Sequence, residues 1–101
     1  MISKFSLHIL LDKEDNIQIA HCLEFDIVAQ GKDRNEAIQN LLDAVELQVK
    51  YAIETDNLDN LYHPAPAEYW QKLVRAKHYP ETPERKMLPF IRTLDCNYVT
   101  G

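Results

Sequence analysis

The chain has 101 residues, 46% hydrophobic and 27% charged, with a formal net charge of −5. That length is one domain, and that balance excludes disordered and fibrous classes. The charge excludes a uniformly basic nucleic-acid binder while leaving a local basic patch open, and no apolar run approaches the roughly 18 residues that a membrane span needs.

In chain order, Phe5, Leu7, Ile9 and Leu11 alternate with Ser6, His8 and Leu10, which predicts a half-buried strand. The polar run Asp12-Lys13-Glu14-Asp15-Asn16 suits a hairpin turn, and Ile17–Cys22 alternates again as its antiparallel partner. Leu23-Glu24-Phe25-Asp26 is a short connection into a third strand, Ile27-Val28-Ala29-Gln30, which Gly31 ends. Asp33 and Glu36 stand three residues apart in a capping-box arrangement. Ile38, Leu41, Leu42, Val45, Val49, Ala52 and Ile53 then recur at helical spacing, opposite a polar face of Gln39, Asn40, Asp43 and Lys50. Glu54-Thr55-Asp56-Asn57 ends that helix, unless Leu58 and Leu61 prolong it.

His63-Pro64-Ala65-Pro66 is a stiff punctuation point. Pro66 suits the first turn of a second helix through Tyr69, Trp70, Leu73 and Val74, with Arg75, Lys77 and His78 in its last turn and Pro80 closing it. Glu81 to Lys86 reads as an exposed loop, and Phe90 to Val99 as a closing fourth strand. The predicted fold is therefore α+β: a three-stranded antiparallel meander under a long amphipathic helix, a second short helix and a C-terminal strand. Residues 1–101 form a single domain, with a core over 1–62 and the second helix and closing strand over 63–101.

Charge divides at the same point. Residues 1–62 hold twelve acids and five bases, a net of −7, and residues 63–101 hold four acids and six bases, a net of +2. The six bases are Lys72, Arg75, Lys77, Arg85, Lys86 and Arg92. They make a basic patch that, with Trp70 or Tyr79 for stacking, could contact nucleic acid or a partner.

Catalytic and metal chemistry find little support. His21 and Cys22 are adjacent, but successive strand residues point to opposite faces, and their spacing matches no zinc pattern. No group orients a Cys/His nucleophilic pair. The two glycines, Gly31 and Gly101, cannot form a phosphate loop, and neither Gly-x-Ser-x-Gly nor His-Glu-x-x-His occurs. The expectation is no enzyme activity, no catalytic residue, no metal and no cofactor. Cys22 and Cys96 are too few for a disulfide framework, and the first residues read as strand rather than leader, so a cytoplasmic location is expected.

The stretch Leu23-Glu24-Phe25-Asp26-Ile27-Val28-Ala29-Gln30-Gly31-Lys32-Asp33-Arg34-Asn35-Glu36-Ala37 resembles the centre of the HicB-like antitoxin family. The features are a strand running into a glycine turn, then a capped helix opening with Glu-Ala, with a second similar step at Asp43-Ala44-Val45-Glu46-Leu47. The resemblance spans roughly residues 4 to 53, and Gly31, Asp33, Glu36 and Ala37 carry its structural motif. It implies a partial RNase H-like fold, a β-β-β-α core completed by a later strand, that serves as a binding scaffold. The first strand carries Phe5, Leu7 and Ile9 where RNase H enzymes have a mid-strand aspartate. Residues 63–101 show no helix-turn-helix or ribbon-helix-helix module of the kind that many HicB proteins use on operators.

Two functions from different classes follow. One is an antitoxin-type protein that occludes a small basic toxin ribonuclease through its acidic half, or an orphan relative of such proteins. The other is a nucleic-acid-binding regulatory module using the basic C-terminal segment. Open sheet edges, and the aromatic cluster Tyr69, Trp70 and Tyr79, further predict a homo-oligomer.

Overall fold

In the computed structural model, which describes residues 4–80 and 88–100, the opening alternation is β1 (Phe5–Glu14), paired antiparallel with β2 (Ile17–Cys22). The hairpin turn is shorter than its polar sequence suggests. Pairing continues through Asp12↔Ile19, Lys13↔Gln18 and Glu14↔Ile17, because a ladder needs only backbone groups. Asp15 and Asn16 alone make the loop, with Asp15 at the left-handed φ of 56° that a short acidic side chain tolerates. β3 (Ile27–Gly31) continues the meander along β2.

The capped helix is α1 (Arg34–Glu54). Asp33 Oδ1 accepts the Glu36 N–H at 2.8 Å, and Glu36 Oε1 accepts the Lys32 N–H at 2.9 Å, so the reciprocal bond reaches one residue further back than in the usual capping box. The apolar stripe is buried from Ala37 to Ala52, but Ile53 is 41% exposed although Ala52 beside it is buried. Thr55 caps it, Asp56 turns at φ 52°, and Leu58–Asn60 adds a 3-10 turn.

Gly31 has no left-handed φ, so its role is not the turn conformation that the sequence suggests. A β-carbon there would collide with the Ala37 nitrogen and lie 2.8 Å from the Glu36 carbonyl carbon and 2.9 Å from Ala37 Cα. Glycine is required because the first turn of α1 folds back onto the end of β3.

The C-terminal half changes the architecture most. α2 (Ala67–Arg75) starts with Pro66 as its N-cap and stops at Ala76. Lys77 and His78 are therefore not in a last helical turn: they form β4 (Lys77–His78), antiparallel to β5 (Ile91–Tyr98). β5 lies parallel to β1, from Phe5↔Ile91 to Leu11↔Tyr98, with a bulge that leaves Arg92 between the first two pairs. The three-stranded meander is thus part of a mixed five-stranded sheet of order β3-β2-β1-β5-β4. The predicted Glu81–Lys86 loop lies outside the described residues.

Two layers cover β1. On one face Leu7, Ile9, Leu11, Ala20, Cys22 and Cys96 pack against the buried stripe of α1. On the other, Leu10, Leu23 and Ala65 form a smaller cluster with Tyr69, Trp70, Leu73, Ala76 and Val99 around α2. Leu10, read as a member of the half-exposed face, is 2% exposed for this reason. Among the described residues, no helix is long and apolar enough to cross a membrane.

Candidate functional site

The α2 side of the sheet collects the polar chemistry. Strand alternation puts His8, Leu10, Asp12 and Glu14 of β1 on this side, and register sets His21 beside Leu10 and Val28 beside His21. After β2 the chain folds inward: Leu23, Glu24 and Phe25 are all buried. Glu24 Oε1 accepts the backbone N–H of His8 at 2.7 Å, and its Oε2 lies 2.6 Å from His8 Nδ1. Asp26, at φ 54°, brings its Oδ1 within 2.6 Å of His21 Nε2. In each pair one partner is buried and the other meets solvent: side-chain exposure is 9% for Glu24 against 39% for His8, and 8% for His21 against 32% for Asp26.

α2 is held over these pairs by the proline-rich connection. His63 and Ala65 donate backbone N–H groups to the carbonyls of Glu24 and Leu23, and Trp70 Nε1 donates to the Ala65 carbonyl at 3.1 Å. The Tyr69 ring meets His21 edge-on at 4.7 Å between centroids, and Trp70 meets His8 at 6.0 Å. Lys72 rests over the Tyr69 ring, its Nζ 5.4 Å from the centroid.

Between α2 and the β1–β2 hairpin lies an open groove of about 320 Å³. Leu10, Ile19 and Val28 floor it, His21 and Tyr69 close one end, and Asp12, Glu14 and Lys72 line its rim. Cys22 is on the opposite face, and burial pushes its thiol up to about 12, with the nearby Glu24 carboxylate adding to the rise. It is an inert, protonated thiol, not a nucleophile beside His21. Among the described residues, no three His, Cys, Asp or Glu side chains gather as a metal site. What the groove offers chemically is recognition: apolar floor, acidic rim, and rings fixed by packing.

No family model, curated protein or solved structure matches this chain. Asp33 caps α1, Glu36 completes the cap, and Gly31 and Ala37 meet at the closest approach of helix and strand. Trp70 is half-buried and engaged with His8 and Ala65. Tyr79 donates its hydroxyl to Asn35 Oδ1 at 2.8 Å, and the Arg34 guanidinium sits 5.4 Å from its ring and 4.2 Å from that of Tyr98. Tyr69, Trp70 and Tyr79, the aromatics from which an oligomer was expected, thus all have partners within the chain.

Arg75 and Lys77 are exposed and close in sequence at the end of α2 and in β4. Arg92 is exposed at the far end of β5: Lys77 pairs with Tyr98, six residues along, or about 20 Å at strand rise. Among the described residues, Arg92 hence does not join Lys77 in one patch. Arg85 and Lys86 lie outside the described residues. Sequence reasoning missed Glu24 and Asp26, which lie in what reads as a mere connection. The five-residue spacing of His21 and Asp26 around a tight turn was a usable signal, whereas the 16-residue spacing of His8 and Glu24 was not.

Proposed function

We propose that this chain is a protein-binding module of the antitoxin type, similar to HicB proteins, which neutralises a small basic toxin ribonuclease by occlusion, or an orphan relative that keeps the same binding mode. The observation that carries the reading is its acidic shell. Of the twelve acids in residues 1–62, only Glu24 is buried; the other eleven stand on or near the surface of β1–β3, α1 and the turns that follow, against five bases. A ribonuclease binds its substrate through cations, so a folded surface with excess carboxylates competes for the same groups and speeds encounter. The β-β-β-α order, with Gly31 and Ala37 in close contact, supports the resemblance on which the partner class rests.

The test is co-expression with an adjacent short basic reading frame, followed by affinity capture at low and at high salt. A stoichiometric complex that weakens with salt is expected; no complex overturns the reading. Among the described residues, the nucleic-acid alternative is supported by the exposed neighbours Arg75 and Lys77. It requires salt-dependent binding of short RNA that charge reversal at both residues abolishes.

A further inference from the structure

We infer that the half of the sheet that α2 leaves uncovered is a docking surface for a basic amphipathic segment of another protein. The inference rests on the protein-binding reading and assigns it a place on the molecule. α2 covers this face at His8, Leu10 and His21 and stops there. Beyond it, Ile17 is 43% and Val28 52% exposed, with Ile19 half-buried between them. These side chains share one face: Ile17 and Ile19 alternate along β2, and Val28 stands beside His21 in the neighbouring register position of β3. Three branched apolar residues on an open sheet face are surface that folding has left wet.

The surroundings state what covers them. Asp12 is paired in register with Ile19, and Glu14 with Ile17, so two carboxylates run parallel to the apolar strip on its β1 side. Asp15 joins them at the hairpin tip, and a second concavity formed by Glu14, Asp15, Ile17, Ile19 and Gln30 continues the groove beneath α2. Among the described residues, the cations near the strip are Lys72 on the α2 rim, engaged with the Tyr69 ring, Lys13, which strand alternation turns to the α1 side, and Lys32, the residue after β3, whose Nζ lies 3.9 Å from Glu36 Oε2. An occupant must present aliphatic groups to Ile17, Ile19 and Val28 and cations along one flank to Asp12 and Glu14. An amphipathic segment with leucine-type residues on one face and Lys or Arg at its border has that chemistry; an acidic or purely polar segment does not.

The probe is a 16-residue amidated peptide of leucine and lysine at helical spacing, with the glutamate-for-lysine peptide as control, titrated into the isotope-labelled full chain. Amide shifts are expected at Asp12–Ile19 and Val28–Gln30 for the lysine peptide only, with at least a tenfold rise in Kd for the variant Glu14→Lys/Val28→Lys, whose dispersed spectrum reports an intact fold. Both positions are exposed, so the fold tolerates them. Shifts centred on Leu47 and Tyr51 of α1, equal binding of the glutamate peptide, or an unchanged Kd in the variant overturns the surface. So does self-association of the chain alone that Val28→Lys abolishes, since the occupant is then a second copy. If a basic protein partner is captured equally by wild type and variant, the function stands and this surface falls. If the lysine peptide docks here but no basic protein is captured, the surface stands and the antitoxin reading falls.

Discussion

The two faces of the sheet are built to different standards. Against α1, a helix of 21 residues buries seven side chains on a cluster of apolar strand residues. Against α2, a helix of nine residues buries none completely, and the floor beneath it carries two histidines paired to carboxylates. The contrast separates two tasks that a small domain must combine. One face supplies the burial that keeps the chain folded, and the other is free to hold polar groups, a groove and exposed apolar residues because it contributes less to stability.

Substitutions that probe each face break or sharpen this contrast. The largest effect belongs to Leu41→Ala: Leu41 is 0% exposed under the sheet, and its truncation is expected to cost about 3 kcal/mol in urea melts. Gly31→Ala follows at about 2 kcal/mol, since the new β-carbon meets backbone atoms of Glu36 and Ala37 that cannot rotate away. A Gly31→Ala protein as stable as wild type means that α1 shifts freely, and the picture of a rigid face fails. Glu24→Ala strands the His8 N–H and ring, at about 1.5 kcal/mol, while Glu24→Gln keeps one acceptor and costs less. Leu73→Ala, at a half-buried position of α2 packed against Leu10 and Leu23, is expected to cost only about 1 kcal/mol. Equal losses at Leu41 and Leu73 erase the distinction between the faces.

Elements with local periodicity are legible in the sequence: β1 to β3 by alternation, and α1 by its stripe and Asp33 cap. What was not legible depends on partners distant in sequence. Lys77 and His78 carry no strand pattern, and only β5 across the sheet makes them β4. The parallel pairing of β5 with β1 spans some 86 residues, and nothing in Ile91–Tyr98 specifies which strand it joins. Leu10 beside Leu11 was a readable break in alternation, the mark of a strand covered on both faces, yet it does not say what covers the second. The carboxylate partner of His8 was hidden for the same reason: the inward fold that buries Glu24 is a tertiary event.

In the central row of the sheet, Ile9 stands between Cys22 on β2 and Cys96 on β5. Two strand spacings separate the thiols, about 10 Å, beyond the reach of a disulfide. Both side chains are 0% exposed, so a thiol reagent meets either only after the α1 face opens. The cysteines therefore act as a pair of stopwatches for unfolding. Labelling at pH 8 is expected to be slow, to quicken with urea in step with lost stability, and to modify both sites together. Alkali reaches Cys22 by equilibrium. Between pH 9 and about 12 the unfolded chain releases a proton that folded Cys22 retains, so stability falls as pH rises through that window.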